Sequence, residues 1–157
     1  VYTSPQKRAY ETAQIATKHH ADLPFIVTPE LAEFSFGKYE GRLFSEIEHE
    51  IDWDRLTDNE YRLQIGAESN LPAKAWVETH FPNIVKKHAT KSILFSTHGG
   101  KKTFLMKHFF SKHAETMELL ESIRFGNCSL SIIDWHVEHG PTLLSCNECD
   151  HLLIDRE

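Results

Sequence analysis

The chain has 157 residues, of which 40% are hydrophobic and 25% charged, with 17 Lys and Arg against 23 Asp and Glu for a net charge of -6. That size and balance suit a single domain, residues 1–157, with an ordinary buried core. An acidic chain lacks the basic face that general nucleic-acid binding needs, and no apolar run approaches the roughly 20 residues that cross a bilayer, so neither nucleic acid nor a membrane is an expected partner.

Val1-Tyr2-Thr3 reads as the end of a strand, and Ser4-Pro5 as an N-cap followed by proline in the first turn of a helix. Ala9, Thr12, Ala13 and Ala16 then give a small-residue face at helical spacing, through about His19. Phe25-Ile26-Val27 is a short strand stopped by Pro29. A glycine-punctuated loop follows, Leu31 to Gly41, and Glu33 lies in it. Ser45-Glu-Ile-Glu48 has the capping-box pattern and predicts a helix start. The polar stretch 42–65 predicts a small helical cap anchored by Trp53, Leu56, Tyr61 and Leu63, and Asn70 is placed to cap a helix from Leu71 to about Ala89. Ser92 to Thr97 is a short apolar strand of the kind buried in parallel sheets. His98-Gly-Gly100 turns into a helix with Phe104, Leu105 and Phe109 on one side, and a further helix covers about Ala114 to Ser122. Cys128–Val137 and Pro141–Ser145 read as two strands joined by the Glu138-His-Gly140 turn. Alternating helices and buried strands predict an α/β domain in three layers, α/β/α, around a mostly parallel central sheet.

Cys146-Asn-Glu-Cys149, with His151 close behind, has the spacing of half a zinc site. A structural zinc site takes four ligands and there is no second cysteine pair, so free thiols are the expectation and no metal is invoked. An odd, sparse cysteine count fits a reducing compartment, which with the absence of a leader pattern makes the cytoplasm the expected location.

Three strand ends carry groups suited to phosphate. Arg8 lies in the first turn of a helix that follows a strand, where free N–H groups favour an anion and a guanidinium holds two oxygens at once. His98 and Gly99 repeat the arrangement at a second strand end, where glycine permits close backbone approach. Glu33 follows a third strand, placed to exchange a proton with a leaving oxygen. Each has an ordinary alternative: a surface arginine, a hydrogen-bonded structural histidine, a solvated loop acid. Their joint placement at the ends of successive strands, where open α/β sheets bind ligands, favours a site.

Val1 to Ala13 resembles the Ser-Pro-x-x-Arg-Ala-x-x-Thr-Ala signature of the histidine phosphatase superfamily, the phosphoglycerate-mutase-like proteins. Leu31–Gly41 is similar to that family's Leu-x-Glu-x-x-x-Gly-x-x-Glu-Gly loop, and Ile93–Gly100 to its second histidine strand. Asn127–Ser131 and Asn147–Leu152 resemble its late strand segments, and Gly66-Ala-Glu-Ser69 its Gly-Glu-Ser with one residue inserted, which leaves the role of Glu68 open. The resemblance implies a phosphomonoester hydrolase acting on a small phosphorylated substrate through a phosphohistidine, with no cofactor and no metal. Arg8, Ser4, His98 and Gly99 would hold the phosphate and Glu33 would serve as general acid and base. Phe36, Arg42, Trp53 and Arg62 are candidates for lining the cap. The family's acceptor histidine lies in an Arg-His-Gly motif upstream of the Ser-Pro-x-x-Arg segment, and this sequence contains no Arg-His-Gly. The expectation is therefore an N-terminally incomplete domain without its first, central strand, inactive alone, with the gap filled by an upstream segment or a second copy. A mutase-type phosphotransferase and a non-catalytic phosphate-binding module are the alternatives.

Overall fold

The computed structural model describes residues 1–20, 22–136 and 138–153, with Phe44 described by its backbone only. Three two-residue strands form a parallel sheet: β1 (Tyr2–Thr3) lies between β2 (Ile26–Val27) and β3 (Phe95–Ser96). Tyr2 pairs with Ile26 on one side and Phe95 on the other, and Thr3 with Val27 and Ser96. Side chains alternate across such a sheet. Tyr2 stacks on Phe95 at 5.4 Å on one face, whereas Ser96 on the other donates from Oγ to the Ala9 carbonyl at 2.8 Å. The first helix, α1 (Lys7–Ala16), covers that second face with the small buried residues Ala9 and Ala13. The first face carries the main core, in which Tyr2 and Leu31 pack with Trp76, Val77, Phe81, Val85 and Leu105. These residues come from α4 (Leu71–Thr79), α5 (Phe81–Lys87) and α6 (Gly99–Phe109). The result is the three-layer α/β/α arrangement expected.

Two short helices, α2 (Phe44–Ile47) and α3 (Asn59–Gln64), build the cap with a 3₁₀ turn at Trp53–Thr57. The cap has its own small core of Tyr39, Ile47 and Ile51, with Phe36, Trp53, Leu56 and Ile65 against it. After α6 come α7 (Ala114–Ser122) and an antiparallel hairpin, β4 (Leu130–His136) and β5 (Gly140–Glu148). Val137, the expected last residue of the first hairpin strand, lies outside the described residues.

Several expectations are corrected. The helix expected from Leu71 to Ala89 is two helices, because Pro82 in the first turn of α5 cannot continue the ladder from α4. Asn70 makes no side-chain cap; Ser69 Oγ accepts the Leu71 N–H at 3.1 Å, and the Asn70 amide donates to the Thr57 carbonyl at 3.2 Å. Ser45 falls inside α2, which begins one residue earlier, so its capping box is unused. At α1 the cap position is Gln6, and Ser4 Oγ, two residues before that cap, accepts the Gln6 N–H at 3.1 Å. The hairpin is a sheet of its own among the described residues, apart from the parallel one. It joins the core through side chains instead, with Trp135 packed edge-on against Phe81 at 5.0 Å and Phe109 at 5.3 Å. No helix among the described residues is long and apolar enough to cross a membrane.

Candidate phosphate site

β1 and β3 end side by side, which brings their loops together. Arg8 Nε donates to His98 Nδ1 at 3.1 Å, and His98 Nε2 meets Ser4 Oγ at 2.8 Å. A guanidinium only donates, so Nδ1 is the acceptor, and the neutral ring carries its proton on Nε2 and donates it to Ser4. Burial pushes the His98 pKa down, and the Arg8 charge pushes it further down against an opposing pull from Glu33, so this tautomer is the form held at neutral pH. Ser4 is fully buried and His98 nearly so. Arg8 remains exposed, with Nη2 donating to Gln6 Oε1 at 2.9 Å.

Glu33 reaches the same place from the third loop. Its Oε2 accepts the Gly100 N–H at 2.9 Å and its Oε1 the Lys101 N–H at 2.9 Å, both in the first turn of α6. Oε1 also accepts the Phe34 N–H at 3.0 Å. The carboxylate thus satisfies two of the N–H groups that a helix start leaves open. Gly100 leaves room for this approach, since a Cβ there would stand 2.9 Å from Glu33 Oε1 and push the carboxylate aside. The Gly99 N–H, next to His98, has no partner within the protein among the described residues. Arg8, Ser4, His98, Gly99 and Glu33, chosen from separate sequence segments, therefore converge on one crevice at the carboxyl ends of the strands.

The cap candidates divide. Arg42 is tied to Glu50 on the surface by two bonds of 2.6 and 3.0 Å. Trp53 donates from its indole to the Glu48 carbonyl at 3.0 Å and packs on Phe36 inside the cap core. Arg62 is 4% exposed and does approach the Glu33 loop. Its guanidinium lies 4.5 Å from the centre of the Phe34 ring, Nε donates to the Glu68 carbonyl at 2.6 Å, and Nη2 is buried without a partner. Glu68, whose role the sequence left open, ties the cap to the loop: its N–H donates to the Ser35 carbonyl at 2.8 Å and its Oε2 accepts the Ser35 N–H at 2.9 Å.

Sequence reasoning missed Lys101. It is 3% exposed, with its ammonium 3.5 Å from the Phe34 ring centre. Burial lowers its pKa against the pull of Glu68 and Glu33, and Arg62 lowers it further. The signal was helical spacing: Lys101 precedes buried Leu105 by four residues, which puts it on the inward stripe of α6.

The model of the histidine phosphatase superfamily, branch 1, matches residues 1–148. Among solved structures, YhfR of Bacillus stearothermophilus is 23% identical with a TM-score of 0.74, and the match covers 96% of this chain and 74% of that one. The mycobacterial glucosyl-3-phosphoglycerate phosphatase Rv2419c is 20% identical with a TM-score of 0.71, over 93% of this chain and 76% of that one. Phosphoglycerate mutase from Bacillus anthracis str. Sterne is 18% identical with a TM-score of 0.71, over 97% of this chain and 73% of that one. At these identities the likeness speaks for the fold. No curated protein matches the chain significantly. The family match over nearly the whole length, laid on the crevice just described, places this chain in branch 1 of the histidine phosphatase superfamily.

Proposed function

We propose that this chain supplies the phosphate-binding and proton-transfer groups of a phosphomonoester hydrolase that works through a phosphohistidine. The observation that carries the reading is the contact of Arg8 with His98 beside the unpartnered Gly99 N–H, at the joint end of β1 and β3. The Gly99 N–H and the exposed Arg8 guanidinium, once turned from its present partners, would stabilise the charge that develops on the non-bridging oxygens. An acceptor histidine on a strand upstream of Val1 attacks phosphorus in line, and the bond to the leaving alcohol oxygen breaks. Glu33 supplies the proton to that oxygen. Water then attacks the phosphohistidine, Glu33 takes a proton back, and inorganic phosphate leaves. Glu33 Oε2 accepts one N–H and keeps a second lone pair for this proton. Fixed cations and N–H groups suffice for the charge, so no metal enters the reading.

The separation of the β1–β3 sheet from the hairpin supports placing the upstream strand between them. A segment of a longer chain is the proposed occupant; exchange of a strand with a second copy is the alternative outcome. The solute acted on is a small phosphorylated molecule, and the cytoplasm suits it.

The test uses the protein expressed with its upstream coding region. Arg8→Ala is expected to lower turnover by about 10²–10³-fold. Glu33→Gln is expected to impair an alkyl phosphate far more than an aryl phosphate, whose leaving group needs little protonation. Equal losses on both would remove Glu33 from the acid role. Full activity of residues 1–157 alone would show that the acceptor lies within them. A mutase-type phosphotransferase is the second reading, since this fold matches a phosphatase and a mutase with the same TM-score of 0.71. Movement of phosphate between two carbons of one substrate, in place of release to water, would establish it.

A further inference from the structure

The turn of the β4–β5 hairpin gathers two imidazoles and a carboxylate, none of them among the groups just assigned. His136 closes β4, Gly140 opens β5 opposite it, and Glu138 and His139 stand between them. The rings of His136 and His139 stack with centroids 4.5 Å apart and planes 16° from parallel. One ligand atom from each of His136, Glu138 and His139 lies within 4.8 Å of the other two, and all three side chains are exposed. We propose that His136, Glu138 and His139 form a binding site for a divalent transition-metal ion of the zinc class.

The donor set decides the class of ion. Two neutral imidazoles and one carboxylate suit Zn²⁺, Ni²⁺ or Cu²⁺; Mg²⁺ and Ca²⁺ prefer oxygen alone. Zinc bonds of about 2.0–2.2 Å to such ligands require the three atoms to draw in from their present separation by about an ångström. Exposed side chains on a turn make that adjustment by rotamer change. His136 Nδ1 now accepts the Glu138 N–H at 3.2 Å, and ligation gives up that bond by either route, through Nδ1 itself or through Nε2 after the proton moves to Nδ1. Three protein ligands leave a coordination position to water or to a further group. Glu138 and His139 also line the cleft of about 480 Å³ between the hairpin and the α4–α5 and α6 ends, where Lys112 and His113 stand. An ion bound at the turn would sit at the rim of that cleft. The cysteines that suggested a zinc site in the sequence do not join this group.

The test is calorimetric titration of the full chain with Zn²⁺, and separately with Mg²⁺, at neutral pH. One zinc ion per chain is expected, with no comparable Mg²⁺ binding. His136→Ala and His139→Ala are each expected to weaken zinc binding by at least roughly tenfold. Glu138→Gln, which keeps the shape and removes the charge, is expected to weaken it by less. The double variant Cys146→Ser with Cys149→Ser is expected to leave it unchanged. The proposal is overturned by unchanged affinity in either histidine variant or in Glu138→Gln, by loss of binding in the cysteine variant, by equal binding of Mg²⁺, or by no stoichiometric site. Circular dichroism of each variant shows whether the exposed turn has been altered without loss of the fold.

Discussion

The crevice and the hairpin are held by different means. At the crevice, backbone and polar groups interlock: one carboxylate, Glu33, accepts three backbone N–H groups, and Ser35 exchanges bonds with both the N–H and the carboxylate of Glu68. Among the described residues the hairpin keeps its ladder to itself; Asn147 ties it to the preceding segment, and apolar side chains hold it to the helices. Ile133, Leu143 and Cys146 pack on Met106, Phe110 and Leu120, while Leu130, Ile132 and Leu144 remain exposed. Directional bonds fix positions to fractions of an ångström, and apolar contact fixes only which surfaces meet. The crevice should therefore resist backbone change and the hairpin tolerate substitution.

The sharpest way to break this contrast is Gly37→Ala. Gly37 adopts φ +55°, and a Cβ there would stand 1.8 Å from the Gly66 carbonyl oxygen. Neither partner is a flexible side chain, so the Glu33 loop and the Glu68 strap must part. A destabilisation of about 2–4 kcal/mol in urea denaturation is expected. A cost under about 0.5 kcal/mol would mean that the strap is not tightly fixed.

Lys101→Met examines the crevice from the opposite side. An ammonium at 3% exposure with no hydrogen bond among the described residues loses hydration, and the Phe34 ring returns only about 2 kcal/mol of it. Methionine fills similar volume without that loss. A gain of about 1 kcal/mol, or ~3 °C in Tm for a chain of this size, is expected. A fall in Tm would show that attraction to Glu33 and Glu68 outweighs desolvation.

What was legible in the sequence follows the same division. That Ser4, Arg8, Glu33, His98 and Gly99 would lie in neighbouring segments was legible because each follows a strand of one parallel sheet, whose ends lie side by side. Helix starts were less so. The Ser45 box and the Asn70 cap had the right residue types, but a neighbour one position away took the part: Ser69 supplies the hydroxyl at α4, and α2 starts before Ser45. The burial of Arg62 and Lys101 was hidden by residue type, since charged side chains are rarely buried and only their helical phase betrayed them. The separateness of the hairpin was not legible at all, because strand pairing depends on partners remote in sequence and β4 and β5 alternate in the same way whichever sheet they join.

A smaller effect concerns pH. His98 has a folded pKa below its usual 6.5, chiefly through burial. Below about pH 6.5 the unfolded chain binds a proton that the folded chain refuses, so the stability His98 confers is complete above that pH and is lost as pH falls toward the folded pKa. Denaturation midpoints of the wild type and His98→Asn should converge between neutral pH and about pH 5. Parallel curves would show that His98 accepts a proton in the fold.

The smallest effect is expected at Leu144, 63% exposed on β5. In residues 1–157, Leu144→Ser removes little buried area, and its cost should lie within about 0.5 kcal/mol. The same substitution also probes what covers this face. Leu130, Ile132 and Leu144 together leave apolar surface in water on one sheet, which a protein normally buries or uses. If an upstream segment packs over it, Leu144 loses its remaining exposure, and the substitution in the longer protein should cost about 1–2 kcal/mol more. Equal, small costs in both lengths of chain would place the upstream segment elsewhere and leave the hairpin face open. The comparison needs only two denaturation curves at each length, and it reads the hairpin independently of any activity at the crevice.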